Sequence, residues 1–195
     1  MAPPPHDKTT WRRELKRRLA QRSAGMDEAQ RLAERFFTVC PDATAVLLYA
    51  ATAQEAPTSA FTGLPWRSSV RVAFPAITSN HTLEAYAVGD PMELVPDRYG
   101  ILALDAGQRT DQRRVPPEQI NAVAVPALGF DLKTGVRLGR GGGYYDRFLS
   151  DCSNALRIGV AFDEQIVLGL PAEPHDIPMH AVVTPTRTLR FEPSK

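Results

Sequence analysis

The sequence has little cysteine, with Cys40 and Cys152 as the only two among 195 residues. They stand far apart, and neither belongs to a C-x-x-C motif or to a cluster of cysteines and histidines. Disulfide frameworks and structural zinc sites both require such spacings. The sequence therefore implies neither kind of fold.

Long apolar runs are also missing, since no stretch approaches the roughly 18 apolar residues of a membrane-spanning helix. The first seven residues, Met-Ala-Pro-Pro-Pro-His-Asp, contain no apolar core of the kind found in signal peptides. We therefore expect a cytoplasmic protein without a membrane partner. Residues 1–7 offer nothing to bury, so we expect a disordered tail there and a second short tail at residues 191–195.

Neither sign of charge is in excess, because 23 Lys and Arg residues face 22 Asp and Glu residues, for a formal net charge of +1. General attraction to nucleic acid is therefore weak, and any anion must be recognised locally. We expect small anionic ligands and no nucleic-acid partner.

A chain of 195 residues with 43% hydrophobic content suits one well-buried core. We expect a single bilobal domain over residues 8–190.

Periodicity predicts two helices near the start of the chain, and a third helix is expected to begin after residue 143. In residues 9–22 apolar side chains recur every four positions among basic ones, and in residues 27–38 they fall at i, i+3, i+4 and i+7. Residues 144–149 have the composition of a helix start.

Short continuous apolar runs predict buried strands covered on both faces. The runs are residues 45–49, 70–74, 122–125, 158–162 and 181–183. Their spacing leaves room for crossover helices, which favours a mostly parallel sheet. Pro75, Pro126 and Pro185 soon follow three of the runs and are expected to mark where strand pairing stops. Function is expected just beyond these carboxyl ends.

Residues 137–147, Arg-Leu-Gly-Arg-Gly-Gly-Gly-Tyr-Tyr-Asp-Arg, form the most informative segment. Glycines let backbone N–H groups face a bound anion at close range, and the arginines add charged donors. A helix start favours an anion, and Asp146 is a candidate metal ligand beside it. The segment therefore predicts a phosphate-binding loop.

Other interpretations of this segment stay open at this point. A glycine-rich surface turn would need no ligand. An arginine-glycine tract can bind RNA, although such tracts are usually repeated and this one occurs once. The spacing also fits neither G-x-G-x-x-G nor a P-loop.

Three further groups stand at predicted helix starts or strand ends. Lys8 and Arg12 are one helical turn apart, where two cations repel unless an anion lies between them. Glu55 follows the first predicted strand, and His175 and Asp176 lie in a proline-rich loop. Taken singly, each group also has an interpretation without a ligand. The first pair fits a solvated basic helix face, Glu55 fits a surface carboxylate, and the last pair fits a turn stabilised by its own aspartate.

In this order and combination the groups resemble the 5-formyltetrahydrofolate cyclo-ligase family (methenyltetrahydrofolate synthetases), from Lys8 to about Thr184. Residues 130–147, Phe-Asp-x-x-x-Gly-x-Arg-Leu-Gly-Arg-Gly-Gly-Gly-Tyr-Tyr-Asp-Arg, are highly specific to that family. The other matching residues are Lys8, Arg12, Glu14, Leu15, Lys16, Tyr49, Glu55, Thr58, Gln165, His175 and Asp176.

The resemblance implies a three-layer α/β fold of the NagB/RpiA/CoA-transferase type, with a mostly parallel sheet flanked by helices, in a monomer. It implies a ligase that closes a C–N bond with ATP as co-substrate and Mg²⁺ as cofactor. The expected reaction converts 5-formyltetrahydrofolate into 5,10-methenyltetrahydrofolate and releases ADP and phosphate. The formyl oxygen is phosphorylated first, N10 then attacks the activated carbon, and phosphate departs.

The resemblance also implies roles for individual residues. Arg140 and Glu55 are the expected catalytic residues: Arg140 stabilises charge on the moving phosphoryl group, and Glu55 contacts the pterin or positions the formyl-bearing nitrogen. Mg²⁺ is expected on Asp146 and Asp176. The expected folate-binding residues are Ala50, Glu55, Tyr99 and Tyr144. The expected ATP-binding residues are Lys8, Arg12, Arg137, Leu138, Gly139, Arg140, Gly141, Gly142, Gly143, Tyr144 and Tyr145.

The chain departs from the family pattern at two places. Ala103 and Leu104 lie in a segment that lacks the Glu-Pro pair common after Gly-Ile in bacterial members, and His180 stands where aspartate is usual. A non-catalytic folate- or nucleotide-binding relative of the same fold is therefore the alternative.

Overall fold

The computed structural model describes residues 7–22, 25, 27–63, 70–78, 80, 82–97 and 100–192. The predicted folate contact Tyr99 and most of the two predicted tails lie outside the described residues. Two residues at the predicted boundaries belong to the fold. The carboxylate of Asp7 accepts a hydrogen bond from the backbone of Thr10 and caps the first helix, and the backbone of Phe191 donates to His180 at 2.9 Å.

Three α-helices form within the described residues, where periodicity predicts them: α1 (Lys8–Ala20), α2 (Glu28–Val39) and α3 (Tyr144–Asp151). Each packs its apolar stripe on the protein interior. Their buried side chains are Trp11, Leu15 and Leu19 in α1, Leu32, Ala33, Phe36 and Val39 in α2, and Phe148 and Leu149 in α3. None of the described helices combines the length and the apolar character needed to cross a membrane.

The described strands are β1 (Ala45–Leu47), β2 (Arg71–Ile77), β3 (Leu83–Ala87), β4 (Leu94–Pro96), β5 (Leu102–Leu104), β6 (Ala122–Val125), β7 (Gly129–Asp131), β8 (Arg137–Leu138), β9 (Leu156–Val160), β10 (Ile166–Val167), β11 (Ala181–Val183) and β12 (Thr188–Arg190). The main sheet has the order β12-β11-β9-β6-β1-β2-β3. Its five inner strands are parallel and coincide with the five predicted runs, and its two edge strands are antiparallel. The predicted mostly parallel sheet is confirmed.

The sheet is buried on both faces, which explains the continuous apolar runs. Along β6, Ala122 and Ala124 pack in the core that contains the buried residues of α1 and α2. Val123 and Val125 point the other way, into the core that contains Phe148 of α3. The predicted three-layer arrangement is therefore confirmed.

One predicted strand end is wrong. Strand β2 continues through Pro75 to Ile77 and pairs Pro75 with Ala85 of β3. Pairing of β2 with β1 ends at Ala73, so beyond that point β2 has β3 on one side only. Proline is tolerated at such an edge because its missing N–H is not needed there. Pro126 and Pro185, by contrast, do follow the ends of β6 and β11.

Asp131 joins the hairpin of β7 and β8 to a loop near the other end of the chain. Its Oδ1 accepts hydrogen bonds from the backbone of Lys133 and Thr134, and its Oδ2 accepts from Gly169 at 2.6 Å and Leu170 at 3.1 Å. Burial opposes charge on this carboxylate, but the backbone donors outweigh burial and lower the pKa of Asp131. The hairpin is thereby fixed where it leads into residues 137–147.

Candidate active site

One cleft of about 900 Å³ gathers the predicted site residues at the carboxyl ends of the parallel strands. Tyr49 and Ala50 enter it after β1, Pro126 and Ala127 after β6, and the glycine-rich loop after β8. Of the predicted site residues, those that line the cleft are Lys8, Arg12, Ala50, Glu55, Arg137, Leu138, Gly139, Arg140, Gly141, Gly142, Gly143, Tyr144, Tyr145, Asp146 and Asp176.

The glycine-rich loop, residues 139–143, connects β8 to the first turn of α3. Gly141 has φ +107° and Gly143 has φ +64°, both in the left-handed region that favours glycine. Gly143 is also the N-cap residue of α3. The loop therefore leads into the positive end of a helix dipole, with free backbone N–H groups of the first turn, which is a favourable anion site.

Arg137 stabilises the loop through its contacts with α3. Its Nη2 donates to Asp146 Oδ1 at 2.6 Å, and its side chain is 5% exposed. Its guanidinium carbon lies 5.7 Å from the centre of the Tyr145 ring. A buried guanidinium requires such a counter-charge, so Asp146 fixes Arg137 whether or not it also binds a metal.

Arg12 connects α1 to the loop. Its Nε donates to the carbonyl of Gly139 at 3.1 Å, and its guanidinium lies about 4 Å from where a Cβ on Gly141 would stand. The predicted cation at this helix position therefore lies directly beside the glycines.

Lys8 joins the first helix to the proline-rich loop near the end of the chain. Its Nζ lies 2.8 and 2.9 Å from the two carboxylate oxygens of Asp176 and 3.0 Å from Glu173 Oε2. Burial opposes charge on both partners, but the hydrogen bonds outweigh it. They raise the pKa of Lys8 and, together with the backbone N–H of Glu173, lower the pKa of Asp176.

Metal-ligating atoms also cluster at this point. Glu173, His175 and Asp176 each offer one ligand atom within 4.8 Å of the others, a group that does not include Asp146. The predicted metal ligands Asp146 and Asp176 therefore line the same cleft but lie in separate ion pairs, with Arg137 and with Lys8.

Glu55 is held in the cleft by two neighbours, Thr52 and Arg140. Its Oε2 accepts hydrogen bonds from both the backbone N–H and the hydroxyl of Thr52, each at 2.9 Å. Its Oε1 lies 3.3 Å from Arg140 Nη2. The two predicted catalytic residues are therefore in contact with one another.

The part of the cleft formed by β2, β3 and the start of β5 is mainly apolar, and we call it the apolar end. Its side chains include Pro75, Ile77, Leu83, Ile101 and Ala103. The cleft thus combines a cationic, glycine-rich end with an apolar end, as a ligand pair of a polyphosphate and a flat ring system would require.

Sequence reasoning missed two residues of this site and one feature of Tyr145, which was predicted only as an ATP-binding residue. Thr52 carries a detectable signal, because Thr-x-x-Glu is the spacing at which a hydroxyl and a carboxylate meet across one turn. Glu173 shares Lys8 with Asp176, but it stands in a proline-rich segment with no periodic pattern. The buried hydroxyl of Tyr145 has no hydrogen-bond partner among the described residues, which no sequence pattern reveals.

Comparisons with known proteins agree with this geometry. A profile of the 5-formyltetrahydrofolate cyclo-ligase family matches residues 5–185. A protein of that name from Mycolicibacterium smegmatis is 38% identical over 111 residues, covering 53% of this chain and 57% of the relative. Another from Escherichia coli K12 is 34% identical over 137 residues, covering 65% of this chain and 69% of the relative. The aligned segments thus span a little over half of the first relative and about two thirds of the second.

Solved structures are similar along nearly the whole chain. The NMR structure of Aquifex aeolicus 5,10-methenyltetrahydrofolate synthetase has a TM-score of 0.78 at 26% identity, over 96% of this chain and 94% of that one. A 5,10-methenyltetrahydrofolate synthetase from Mycoplasma pneumoniae has a TM-score of 0.67 at 22% identity, over 92% of this chain and 99% of that one, and supports the fold alone.

Proposed function

The chain belongs to the 5-formyltetrahydrofolate cyclo-ligase family, and from that premise we propose that it converts 5-formyltetrahydrofolate into 5,10-methenyltetrahydrofolate with ATP and Mg²⁺, releasing ADP and phosphate. The single observation that carries the proposal is the cleft itself. A glycine loop with cations and a helix start lies at one end, apolar side chains line the other, and Arg140 with Glu55 lies among the lining residues.

The reaction requires a poor leaving group to be activated. The formyl oxygen attacks the terminal phosphorus of ATP and the bond to ADP breaks. N10 then attacks the formyl carbon, and the C–O bond breaks so that phosphate leaves with the former formyl oxygen. Such phosphoryl transfer asks the protein chiefly for alignment and for positive charge around the moving group.

The phosphates would lie at the glycine loop. The backbone N–H groups after Gly141 and the guanidinium of Arg12 would bind them. Arg137 would hold the loop against α3 through its ion pair with Asp146. Lys8 would then leave its ion pairs with Asp176 and Glu173 and bind phosphate oxygens instead, because these also carry the negative charge that its ammonium group needs.

Arg140 and Glu55 would act where the two substrates meet. The Arg140 side chain is 47% exposed and is held by a 3.3 Å ion pair with Glu55 and a 3.5 Å contact with the hydroxyl of Thr52, so it can turn toward a transferring phosphoryl group at little cost. Glu55 would accept a hydrogen bond from the folate or position its formyl-bearing nitrogen. The apolar end, with Ala50 at its edge, would hold the ring system, and Tyr144 would contact the folate.

Carboxylate and phosphate oxygens are the hard donors that Mg²⁺ prefers, so the donor set at the loop fits this ion. Asp146 keeps Oδ2 without a hydrogen bond from any described residue, whereas both oxygens of Asp176 are engaged until Lys8 leaves. Asp146 and Asp176 would therefore hold Mg²⁺ together with the phosphates, and the ion would supply positive charge to them.

Asp146→Asn tests this metal assignment. We expect loss of activity or of its Mg²⁺ dependence, together with a lower free energy of unfolding by about 1–3 kcal/mol because buried Arg137 loses its charged partner. Kinetics over a Mg²⁺ series and urea denaturation measure the two effects. Asp151→Asn, an exposed change in the last turn of the same helix, is the control. Unchanged kinetics and metal dependence in Asp146→Asn would show that the assignment is wrong.

The departures from the family pattern bear on the alternative of a non-catalytic relative. His180 contacts Arg157 and is not among the residues that line the cleft. Ala103 does line it, at the apolar end. A change of folate preference is therefore a more direct consequence of these departures than loss of the phosphate end.

Incubation with 5-formyltetrahydrofolate, ATP and Mg²⁺, followed by the absorbance of the methenyl product, tests the proposal. We expect turnover that needs both ATP and the divalent ion. Absence of ATP-dependent turnover at generous enzyme concentration contradicts it. Calorimetry on the same sample then separates a binding protein, which would still bind folate or nucleotide, from one with neither ligand.

A further inference from the structure

The hydroxyl of Tyr145 is an unusual atom in the cleft wall. Tyr145 stands in the first turn of α3 and is one of the residues that line the cleft. Its hydroxyl is buried, and none of the described residues provides a hydrogen-bond partner for it. A buried polar group without a partner loses its hydration with no compensation, so native structures leave few of them.

Other tyrosines of the chain show how such hydroxyls are normally satisfied. The hydroxyl of Tyr49 donates to the carbonyl of Ala56 at 2.7 Å, and that of Tyr86 donates to Glu84 Oε2 at 2.5 Å. Within the described part of the chain Tyr145 makes no comparable bond, although its ring is packed against the core shared with Phe148. Because Tyr145 also lines the cleft, its unpaired hydroxyl indicates a partner that arrives with the ligand.

The surroundings of Tyr145 restrict the chemistry of that partner. The charged side chains that act on it are the carboxylate of Glu55 and the guanidinium of Arg137. A tyrosine hydroxyl is protonated at neutral pH and is therefore available as a donor. The same carboxylate disfavours a phosphate oxygen at this point, because two like charges would be brought together in a partly desolvated wall. A neutral oxygen or nitrogen acceptor suffers no such repulsion.

We infer that the Tyr145 hydroxyl donates a hydrogen bond to a neutral acceptor of the bound reduced folate, a carbonyl oxygen or a ring nitrogen. This inference rests on the proposed function. It gives the side chain of Tyr145 a role in folate recognition, distinct from that of its backbone in the phosphate-binding loop. Tyr145 is thus a substrate-binding residue at the junction of the two ligand sites.

Tyr145→Phe tests the inference, because it deletes the hydroxyl and keeps the ring. If only the ligand accepts a hydrogen bond from this hydroxyl, removing the hydroxyl does not lower the stability of the ligand-free protein. The Tm of the ligand-free variant should therefore stay equal or rise. The KM for 5-formyltetrahydrofolate should rise about 3- to 10-fold, the value of one neutral hydrogen bond. The KM for ATP should change by less than about twofold, within the scatter of unrelated substitutions. Calorimetric titration of folate without ATP should show the same loss of affinity.

Tyr86→Phe is the matched control, since its hydroxyl has a protein partner and is not among the atoms of the cleft wall. It should lower the Tm and leave both KM values unchanged. A lower Tm for Tyr145→Phe, an unchanged KM for folate, or a rise confined to ATP would each overturn the inference. If the wild type turns over folate while Tyr145→Phe matches it, only this inference fails. If the wild type neither binds nor converts folate, the proposed function fails with it.

Discussion

At the scale of single residues, the site is a set of ion pairs whose members hold one another until ligands arrive. Lys8 lies against Asp176, Arg137 against Asp146, and Arg140 against Glu55. The pairs differ in burial. The Arg137 side chain is 5% exposed and that of Arg140 is 47% exposed. Arg137 therefore stabilises the loop, whereas we expect the more exposed Arg140 to leave Glu55 and bind a ligand.

Arg140→Ala should lower kcat by about 10²- to 10³-fold, the usual effect of removing one charge-stabilising donor. The free energy of unfolding should change by less than about 1 kcal/mol, because an exposed ion pair contributes little. Steady-state kinetics and thermal denaturation check the two effects, with Arg190→Ala, an exposed arginine at the edge of the sheet, as control. A large loss of stability with kcat retained would assign Arg140 a structural role.

Thr52→Val should weaken catalysis through Glu55. The substitution keeps the shape of the side chain and the backbone N–H donor but removes the hydroxyl that donates to Glu55 Oε2 at 2.9 Å. One lost hydrogen bond to a carboxylate predicts a fall in kcat/KM of about 10-fold or more. Thr52→Ser should restore activity. Equal kinetics for Thr52→Val and the wild type would show that the hydroxyl does not position Glu55.

Much of the site was predictable at the residue scale and some was not. Residues 137–147 were recognisable as a binding segment from the sequence alone, because three glycines among charged residues have no packing role. The contact between Lys8 and Asp176 joins residues 168 positions apart, and no local pattern carries that information. It depends on the sheet that brings the amino-terminal helix and the proline-rich loop to one edge.

At the scale of secondary-structure elements, the site depends on the junction between β8 and α3. Gly143 ends the loop with φ +64° and caps the helix, and a Cβ there would stand 2.9 Å from Arg147 Nη1. The conformation that opens the first helical turn to an anion is thus available to glycine and strained for other residues.

Gly143→Ala should therefore lower the free energy of unfolding by about 1–2 kcal/mol, the cost of a left-handed backbone for an ordinary residue. It should also raise the KM for ATP, since the helix start shifts. Gly63→Ala is the control, because no atom of the described residues lies closer than 3.7 Å to the added Cβ and its φ is −99°. Equal stability losses in both variants would contradict the special role of Gly143.

A pH effect belongs to the pairing of β9 with β11. His180 Nδ1 accepts a hydrogen bond from the backbone of Arg157 at 3.0 Å, and Nε2 lies 3.1 Å from its guanidinium. Burial, and next the charge of Arg157, lower the pKa of His180 below its ordinary 6.5. The unfolded chain therefore binds a proton at higher pH than the folded one. The stability contributed by neutral His180 is present above that ordinary value and is lost as pH falls from it toward the lowered value.

Urea denaturation at about pH 7.5 and about pH 5.5, on either side of the ordinary histidine pKa, measures this effect. We expect the wild type to lose more stability between these values than His180→Asn, which has no titrating ring. The same loss in both proteins would show that another group is responsible.

The elements themselves were predictable where they are long or fully buried. Apolar periodicity located α1, α2 and the start of α3, and continuous runs located the five inner strands. The edge strands β3 and β12 and the short strands β4, β5, β7, β8 and β10 were missed. Strands of two to five residues with exposed or turn-forming neighbours give too few positions for a period to show.

At the scale of the whole molecule, a near-neutral net charge coexists with a cleft in which cationic side chains are concentrated. The net charge is +1, yet Lys8, Arg12, Arg137 and Arg140 all line one cavity. Local concentration of cations allows a polyphosphate to be bound without general affinity for nucleic acid. In the proposed function, the apolar end of the same cavity would place a ring system beside the phosphates, which is the arrangement that direct transfer between two substrates requires.

The account depends on where the phosphates of a nucleotide lie, and a crystal structure with ADP, Mg²⁺ and a reduced folate measures that directly. We predict phosphate oxygens within hydrogen-bonding distance of the backbone N–H groups between Gly141 and Tyr145, with the folate ring at the apolar end beside Glu55. A glycine loop that stays empty while the nucleotide binds elsewhere would contradict the account.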